Sequence, residues 1–187
     1  MKVYLFSIGE PTTEVAKWAW ERLGHEVILL QDPKTSFYQK YLEFLNIAKH
    51  DEKLIRTDAD VIPLKRVNEL VEHFKNQKDL WWMTGKAFCY IRNDIIDGGI
   101  NLMDDHIVKL GLQHFHEFKK DTRPETRLSR VPELMTPRRF MAQTVFIGLH
   151  GYKQKDEDIA RVMKVKAERK QLKDWDLELI EKMNEIS

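Results

Sequence analysis

Asp58 and Asp60 stand one residue apart at the close of the apolar run Lys53-Leu54-Ile55-Arg56-Thr57, directly before Val61-Ile62-Pro63. On an extended segment, side chains one residue apart point the same way. The two carboxylates can therefore converge on one hard cation, which takes oxygen ligands and commonly bridges to a substrate phosphate. The pattern reads as a metal and diphosphate site. Aspartates at strand ends also cap turns and helix starts without any ligand, and three residues alone do not separate the two readings.

Further along, Asp97-Gly98-Gly99-Ile100-Asn101-Leu102-Met103 leads into Asp104-Asp105-His106. Paired glycines permit a sharp turn or close approach of backbone to a ligand. The acidic pair stands where a helix would begin, so Asp104 as N-cap and Asp105 in the first turn would complement the helix dipole with no catalytic duty. Asp32 follows a second apolar run, and His150 closes the run Thr144–Leu149 at an exposed strand end. A lone histidine there is more often structural than a ligand. Between residues 119 and 140, Arg123, Arg127, Arg130, Arg138 and Arg139 are interspersed with Pro124, Pro132 and Pro137. This reads as an irregular loop, either a solvated surface or a lid whose guanidinium groups pair with phosphate.

The elements that must position these groups follow from periodicity. Lys2–Ile8 reads as a buried first strand, broken by Gly9-Glu10-Pro11. Thr12 or Thr13 then caps a helix to Leu23, with Val15, Trp18, Ala19 and Arg22 at helical spacing. Glu26–Leu30 is a second strand. Ser36 starts a helix with Phe37, Tyr41, Phe44, Leu45 and Ala48 inward, and Leu54–Thr57 is a third strand. Strands alternating with helices imply crossover units and a largely parallel sheet covered on both faces. Ligands of such sheets bind beyond the carboxyl ends of the strands, where Asp32, Asp58 and Asp60 fall. A helix over Val67–Phe74 with Leu70, Val71 and Phe74 inward comes next, then one or two strands over Leu80–Ile91 broken near Gly85. The tail from Asp156 to Ser187 reads as a helix, with Leu172, Trp175, Leu179, Met183 and Ile186 as a stripe that would pack on the domain or on a second copy. A homodimer is thus one expectation.

The chain has 187 residues, 42% hydrophobic and 33% charged, which suits one globular domain, with segments over 1–63 and 64–153 and a helical tail over 154–187. A formal net charge of +1 gives no global drive toward nucleic acid, so phosphate binding must be local. The single cysteine, Cys89, excludes an internal disulfide and suits a reducing compartment; within its apolar run it reads as a core thiol. The amino-terminal apolar run is too short to span a membrane, no small-residue cleavage site follows it, and no later run is long enough to cross a bilayer. A soluble, cytoplasmic protein is expected.

The order of these features resembles the glycosyltransferases of the GT-A fold. The shared pattern is an amino-terminal crossover unit, Asp-x-Asp after the third strand, a glycine pair before an acidic pair, and a late His-Gly. The resemblance covers the chain up to about Lys153 and is close to a minimal viral or archaeal member. It implies a mostly parallel, Rossmann-like α/β sheet flanked by helices. It also implies that Asp58 and Asp60 hold a divalent cation, Mn2+ or Mg2+, against the diphosphate of a nucleotide sugar, with His150 as a further metal ligand. Phe6, Ser7 and Asp32, at the ends of the first two strands, would contact the donor nucleotide. Asp104 or Asp105 would be the base that takes the proton from a saccharide or glycoprotein acceptor in an inverting enzyme. The chain departs from the family pattern in the short Gly99–Asp104 spacing and in lacking the usual arginine further along that helix, where Lys109 is the nearest basic residue. Asp58-Ala59-Asp60-Val61 also resembles the first motif of haloacid-dehalogenase-type phosphohydrolases, with Asp58 as nucleophile, although that motif normally lies on the first strand. A non-catalytic nucleotide-binding or assembly protein is the third reading.

Overall fold

The structure is a computed structural model that describes residues 1–120 and 139–151, with Pro124, Leu128 and Val131 between them. Most of the arginine-rich segment and all of the expected tail helix lie outside the described residues, which belong to one compact unit, Met1–Tyr152.

Strands β1 (Lys2–Ser7), β2 (Glu26–Gln31) and β3 (Lys53–Asp58) alternate with helices α1 (Thr13–Arg22) and α2 (Phe37–Ala48), as the periodicity predicts. After β3 the chain forms β4 (Val61–Pro63), α3 (Val67–Asn76), β5 (Trp82–Cys89), β6 (Asp94–Asp104), α4 (Asp105–His114), a 3-10 helix over Phe115–Lys120, and β7 (Phe140–His150). One seven-stranded sheet has the order β2-β1-β3-β6-β5-β7-β4. Strands β2, β1, β3, β5 and β7 run one way; β6 and β4 run against them. The expected mostly parallel, GT-A-like α/β sheet is thus present. The short β4, absent from the sequence reading, carries Pro63 where an edge strand tolerates it.

Alternation along the strands divides the core between two faces. Tyr4, Phe6 and Leu54 pack with Tyr41, Phe44 and Leu45 of α2 and Ile107 and Val108 of α4. Val3 and Ile55 point the other way, toward Trp20 of α1 and Val67, Leu70, Val71 and Phe74 of α3. The capping box at Ser36, with Gln39 at its third position, fixes the start of α2 where the sequence places it.

In α1 the inward residues are Thr13, Ala16 and Trp20. Val15 and Trp18, which the helical spacing brought together, are 48% and 59% exposed, and Arg22 lies over the Trp18 ring. A small residue on the inward face is the reason. Ala16 packs against Leu5 and Ala59, so α1 approaches the sheet closely there, and an alanine adds little to an apolar periodicity.

Gly98 and Gly99 lie inside β6 with φ of 94° and 85°, a left-handed kink that other residues adopt only at a cost. A Cβ on Gly99 would stand 2.9 Å from Val61 Cγ2. The neighbour that the glycine admits is therefore β4, where the sequence allowed a ligand or a turn. The break expected near Gly85 is a register shift in β5, filled by Ile147 of β7.

Candidate active site at the carboxyl end of the sheet

The turn Asp58-Ala59-Asp60 leaves β3 beneath the start of α1. Ala59 is fully buried, its N–H donates to the Phe6 carbonyl at 2.8 Å, and its own carbonyl accepts from Thr12 Oγ1 at 2.8 Å. The middle residue of the motif is thus clamped between β1 and α1, leaving the two carboxylates at the edge. The motif predicts an extended segment; the chain instead turns after Asp58, and the two carboxylates meet separate partners, Arg56 and His150.

Asp58 Oδ1 accepts from Arg56 Nη2 at 2.7 Å. Arg56 and Asp58 are two apart on β3 and share the α2 face. The guanidinium is buried, 4.6 Å from the centre of the Phe6 ring and 5.6 Å from that of Phe37. Phe6 therefore acts on the site by shelving an arginine. Asp60 Oδ2 stands 3.1 Å from His150 Nε2, and the Gly151 N–H donates to the Asp60 carbonyl. The other ring nitrogen of His150, Nδ1, is 3.0 Å from Cys89 Sγ. Strand register explains this meeting: His150 pairs with Cys89 of β5 on one side and with Val61 of β4, the residue after Asp60, on the other. Burial disfavours a charged imidazole here. The Asp60 carboxylate and the hydrogen bonds to Asp60 and Cys89 outweigh it and lift the His150 pKa to about 10. The same contact holds the Cys89 thiol below its ordinary value, against the effect of its burial.

Three further groups border the motif, and the sequence reading missed them as site residues. Glu10 Oε2 accepts from Ser7 Oγ at 2.8 Å and from the Ile8 N–H at 2.7 Å. Burial, reinforced by the Asp60 carboxylate, pushes the Glu10 carboxyl above its usual range despite those hydrogen bonds. Ser7 is thereby engaged with Glu10 and Thr13, 2.8 Å from the latter's hydroxyl. Lys40 is buried on the inward face of α2 and donates to the Ser7 carbonyl. Arg56 is the third. A charge inside an apolar strand, two residues before an aspartate, was a legible signal for Arg56; nothing local marked Glu10 or Lys40.

Asp32 occupies an exposed turn after β2, where its carboxylate accepts from the Lys34 N–H at 2.8 Å and from Thr35 Oγ1. Those bonds, the Thr35 hydroxyl first, hold its carboxyl below the usual range.

The acidic pair lies elsewhere. Asp104 pairs with Lys53 at the first residue of β3, whereas Asp58 is the last. At about 3.3 Å per residue, the two ends are roughly 16 Å apart. The antiparallel direction of β6 thus carries Asp104 and Asp105 to the opposite end of the sheet, and the structure does not bring them to the Asp58–Asp60 turn. Asp104 is the N-cap of α4, accepting from the His106 N–H at 3.0 Å, and Asp105 pairs with Lys109 at 2.6 Å. His106 Nδ1 is 3.2 Å from Asp104 and 3.1 Å from Asp105, and its ring stacks on Trp81 at 4.4 Å. Burial lifts the Asp104 carboxyl to about 6, against the charge and hydrogen bond of His106. Each of the three offers a ligand atom within 4.8 Å of the others, so this cluster could also hold a metal ion.

No family model matches the sequence, and no curated protein matches it in sequence. Similarity is found in solved structures. A glycosyltransferase involved in the glycosylation of the major capsid of PBCV-1 superposes with a TM-score of 0.57 at 10% identity, over 84% of this chain and 96% of that one. Two others superpose at lower scores. A Bacillus anthracis glucose-1-phosphate thymidylyltransferase in complex with sucrose gives 0.46 at 12% identity, over 77% of this chain and 68% of that one. CMP:2-keto-3-deoxy-manno-octonic acid synthetase complexed with CTP gives 0.47 at 13% identity, over 90% and 98%. At these identities the likeness concerns the fold. The sheet order, the helices on both faces and the viral neighbour agree that the chain has a GT-A-like α/β fold.

Proposed function

We propose that this chain is a metal-dependent glycosyltransferase that transfers a sugar from a nucleotide diphosphate sugar to an acceptor hydroxyl or amide. The observation that carries the reading is the approach of His150 Nε2 to Asp60 Oδ2, 3.1 Å apart at the carboxyl edge of the parallel strands. In the metal-free protein that approach is a hydrogen bond, and a cation would take the place of the Nε2 proton, which is released as the ion binds. Asp60 and His150 would hold the ion, while Asp58 stays paired with Arg56. A divalent cation there would offset the negative charge that develops on a departing diphosphate.

The chain's own groups support that role. Arg56 fixes the Asp58 carboxylate against a rigid aromatic shelf, so its orientation is set before any ligand arrives. Lys40 and Arg56 bring positive charge to the ends of β1 and β3, the crevice where open α/β sheets receive phosphates. The acceptor base is not assigned to Asp104 or Asp105, because a proton cannot pass directly between groups at opposite ends of β3. A saccharide or glycoprotein acceptor, and a cytoplasmic homodimer, remain parts of the proposal. Among the described residues no helix is long and apolar enough to cross a membrane.

The test is a thermal-shift screen of nucleotide diphosphate sugars with and without Mn2+, on wild type and on Asp60→Asn. A ligand at a hundred times its Kd stabilises the native state by about 2.7 kcal/mol, a readable shift. The expected result is a metal-dependent shift in wild type that Asp60→Asn loses. Shifts that ignore both metal and variant, or phosphate release from p-nitrophenyl phosphate, would replace transfer with one of the other readings.

A further inference from the structure

Cys89 is 1% exposed, too enclosed to act on a substrate, yet its sulfur meets a side chain of the candidate site. Parallel pairing of β5 and β7 sets Cys89 and His150 side by side, and the Tyr90 N–H donates to the His150 carbonyl at 3.0 Å to lock that register. The two ring nitrogens of His150 therefore face different partners: Nδ1 faces sulfur, and Nε2 faces Asp60. A metal-bound histidine carries its remaining proton on the other ring nitrogen and needs an acceptor for it. Such acceptors set the tautomer and the ring angle, and losing one typically weakens metal binding 10- to 100-fold.

We propose that Cys89 is the positioning residue of this site: its sulfur accepts the Nδ1–H of His150, which fixes the tautomer that presents Nε2, beside Asp60, to a divalent cation. The inference rests on the metal reading above and deepens it. The usual acceptor at such a place is a carboxylate, a carbonyl or water. A sulfur in that position accounts for a lone cysteine opposite the histidine, where an ordinary core residue would pack as well. Sulfur is a weak acceptor but polarisable and tolerant of apolar surroundings, which suits a position enclosed in the sheet.

The experiment measures Mn2+ binding by electron paramagnetic resonance on the metal-free full chain, with wild type, Cys89→Val, Cys89→Ser and Asp60→Asn in parallel. Melting temperatures recorded without metal identify folded variants. The expected result is binding about 10-fold weaker in Cys89→Val, restored toward wild type in Cys89→Ser, whose hydroxyl can accept the same proton. Cys89→Val binding Mn2+ as tightly as wild type would overturn the role of Cys89 while leaving the cation site standing. Failure of wild type to bind Mn2+, or unchanged binding in Asp60→Asn, would overturn the metal reading and this inference with it. Should Cys89→Val not fold, nitrogen-15 spectra of the wild-type histidines with Zn2+ as a diamagnetic probe decide the matter. A His150 proton on Nδ1 supports the proposal and one on Nε2 overturns it.

Discussion

Asp58 faces two positive charges, the guanidinium built into the fold and the cation that the proposed function would bring. Arg56 is 3% exposed and its carboxylate partner more than a third exposed at the side chain, so solvent screens the pair from one side only. Replacing Asp58 by alanine leaves a buried guanidinium without that partner, and the expected cost is about 1–3 kcal/mol in metal-free protein. Urea unfolding in the presence of a chelator measures it. A variant as stable as wild type would mean that Arg56 is satisfied without Asp58. Loss of activity in Asp58→Ala is therefore interpretable only beside its stability. Asp104 offers the converse test, because capping and base catalysis predict different outcomes. Asparagine caps a helix about as well as aspartate, whereas alanine costs about 1 kcal/mol. Asp104→Asn is expected to keep both stability and transfer, and Asp104→Ala to lose stability but keep the turnover of the folded fraction. A collapse of turnover in Asp104→Asn with unchanged melting would return the acidic pair to the chemistry.

Between elements, the joint that holds α1 to α3 depends on a neutral histidine. His25 Nε2 meets Asn68 Oδ1 at 2.9 Å, the Asn68 amide donates to the Leu23 carbonyl at the end of α1, and the His25 ring packs edge-on against Trp20. Its Nδ1 is buried without a hydrogen bond among the described residues, so a proton added there would carry an unsatisfied charge. Burial accordingly lowers the His25 pKa from 6.5, against the hydrogen bond that its Nε2–H donates to Asn68 Oδ1. With the folded value depressed, the unfolded chain takes the proton first. The contribution of His25 is thus intact above about pH 6.5 and is lost as pH falls from there through the folded value. His25→Phe keeps the packing on Trp20 and cannot titrate. The difference in stability between His25→Phe and wild type, followed by chemical unfolding from pH 7.5 to 5, is expected to shift in favour of the variant as the pH falls. A constant difference would show that His25 does not titrate differently on folding. The periodicity found these helices and their order but not this joint, since Asn68 and His25 are 43 positions apart and neither is apolar.

At the scale of the whole molecule, what the sequence made legible was local, and what it concealed was long-range. Alternating strands and helices, the capping box at Ser36 and the edge position of Asp58 and Asp60 all follow from short windows. The direction of β6 does not, and that direction alone moved Asp104 and Asp105 to the far end of the sheet. The partnership of Cys89 with His150 likewise spans 61 positions and exists only once β5 lies beside β7. The same sheet has a thermodynamic consequence. Phe44 and Phe74 are both fully buried, one under α2 and the other under α3, in cores that share strands but lie on opposite faces. Phe44→Leu and Phe74→Leu are each expected to cost about 1–1.5 kcal/mol by loosened packing. Layers stacked on a sheet stand about 10 Å from it, so the two sites share no side-chain partner and their costs should add within about 0.5 kcal/mol. If the sheet couples both faces into one cooperative unit, the double variant unfolds in a single urea transition whose slope matches that of wild type, with only the midpoint lowered. A second transition, or a slope that falls in one single variant alone, would mean that one face unfolds before the other. The site at the carboxyl edge would then rest mainly on the α2 face, whose Phe6 and Phe37 carry Arg56.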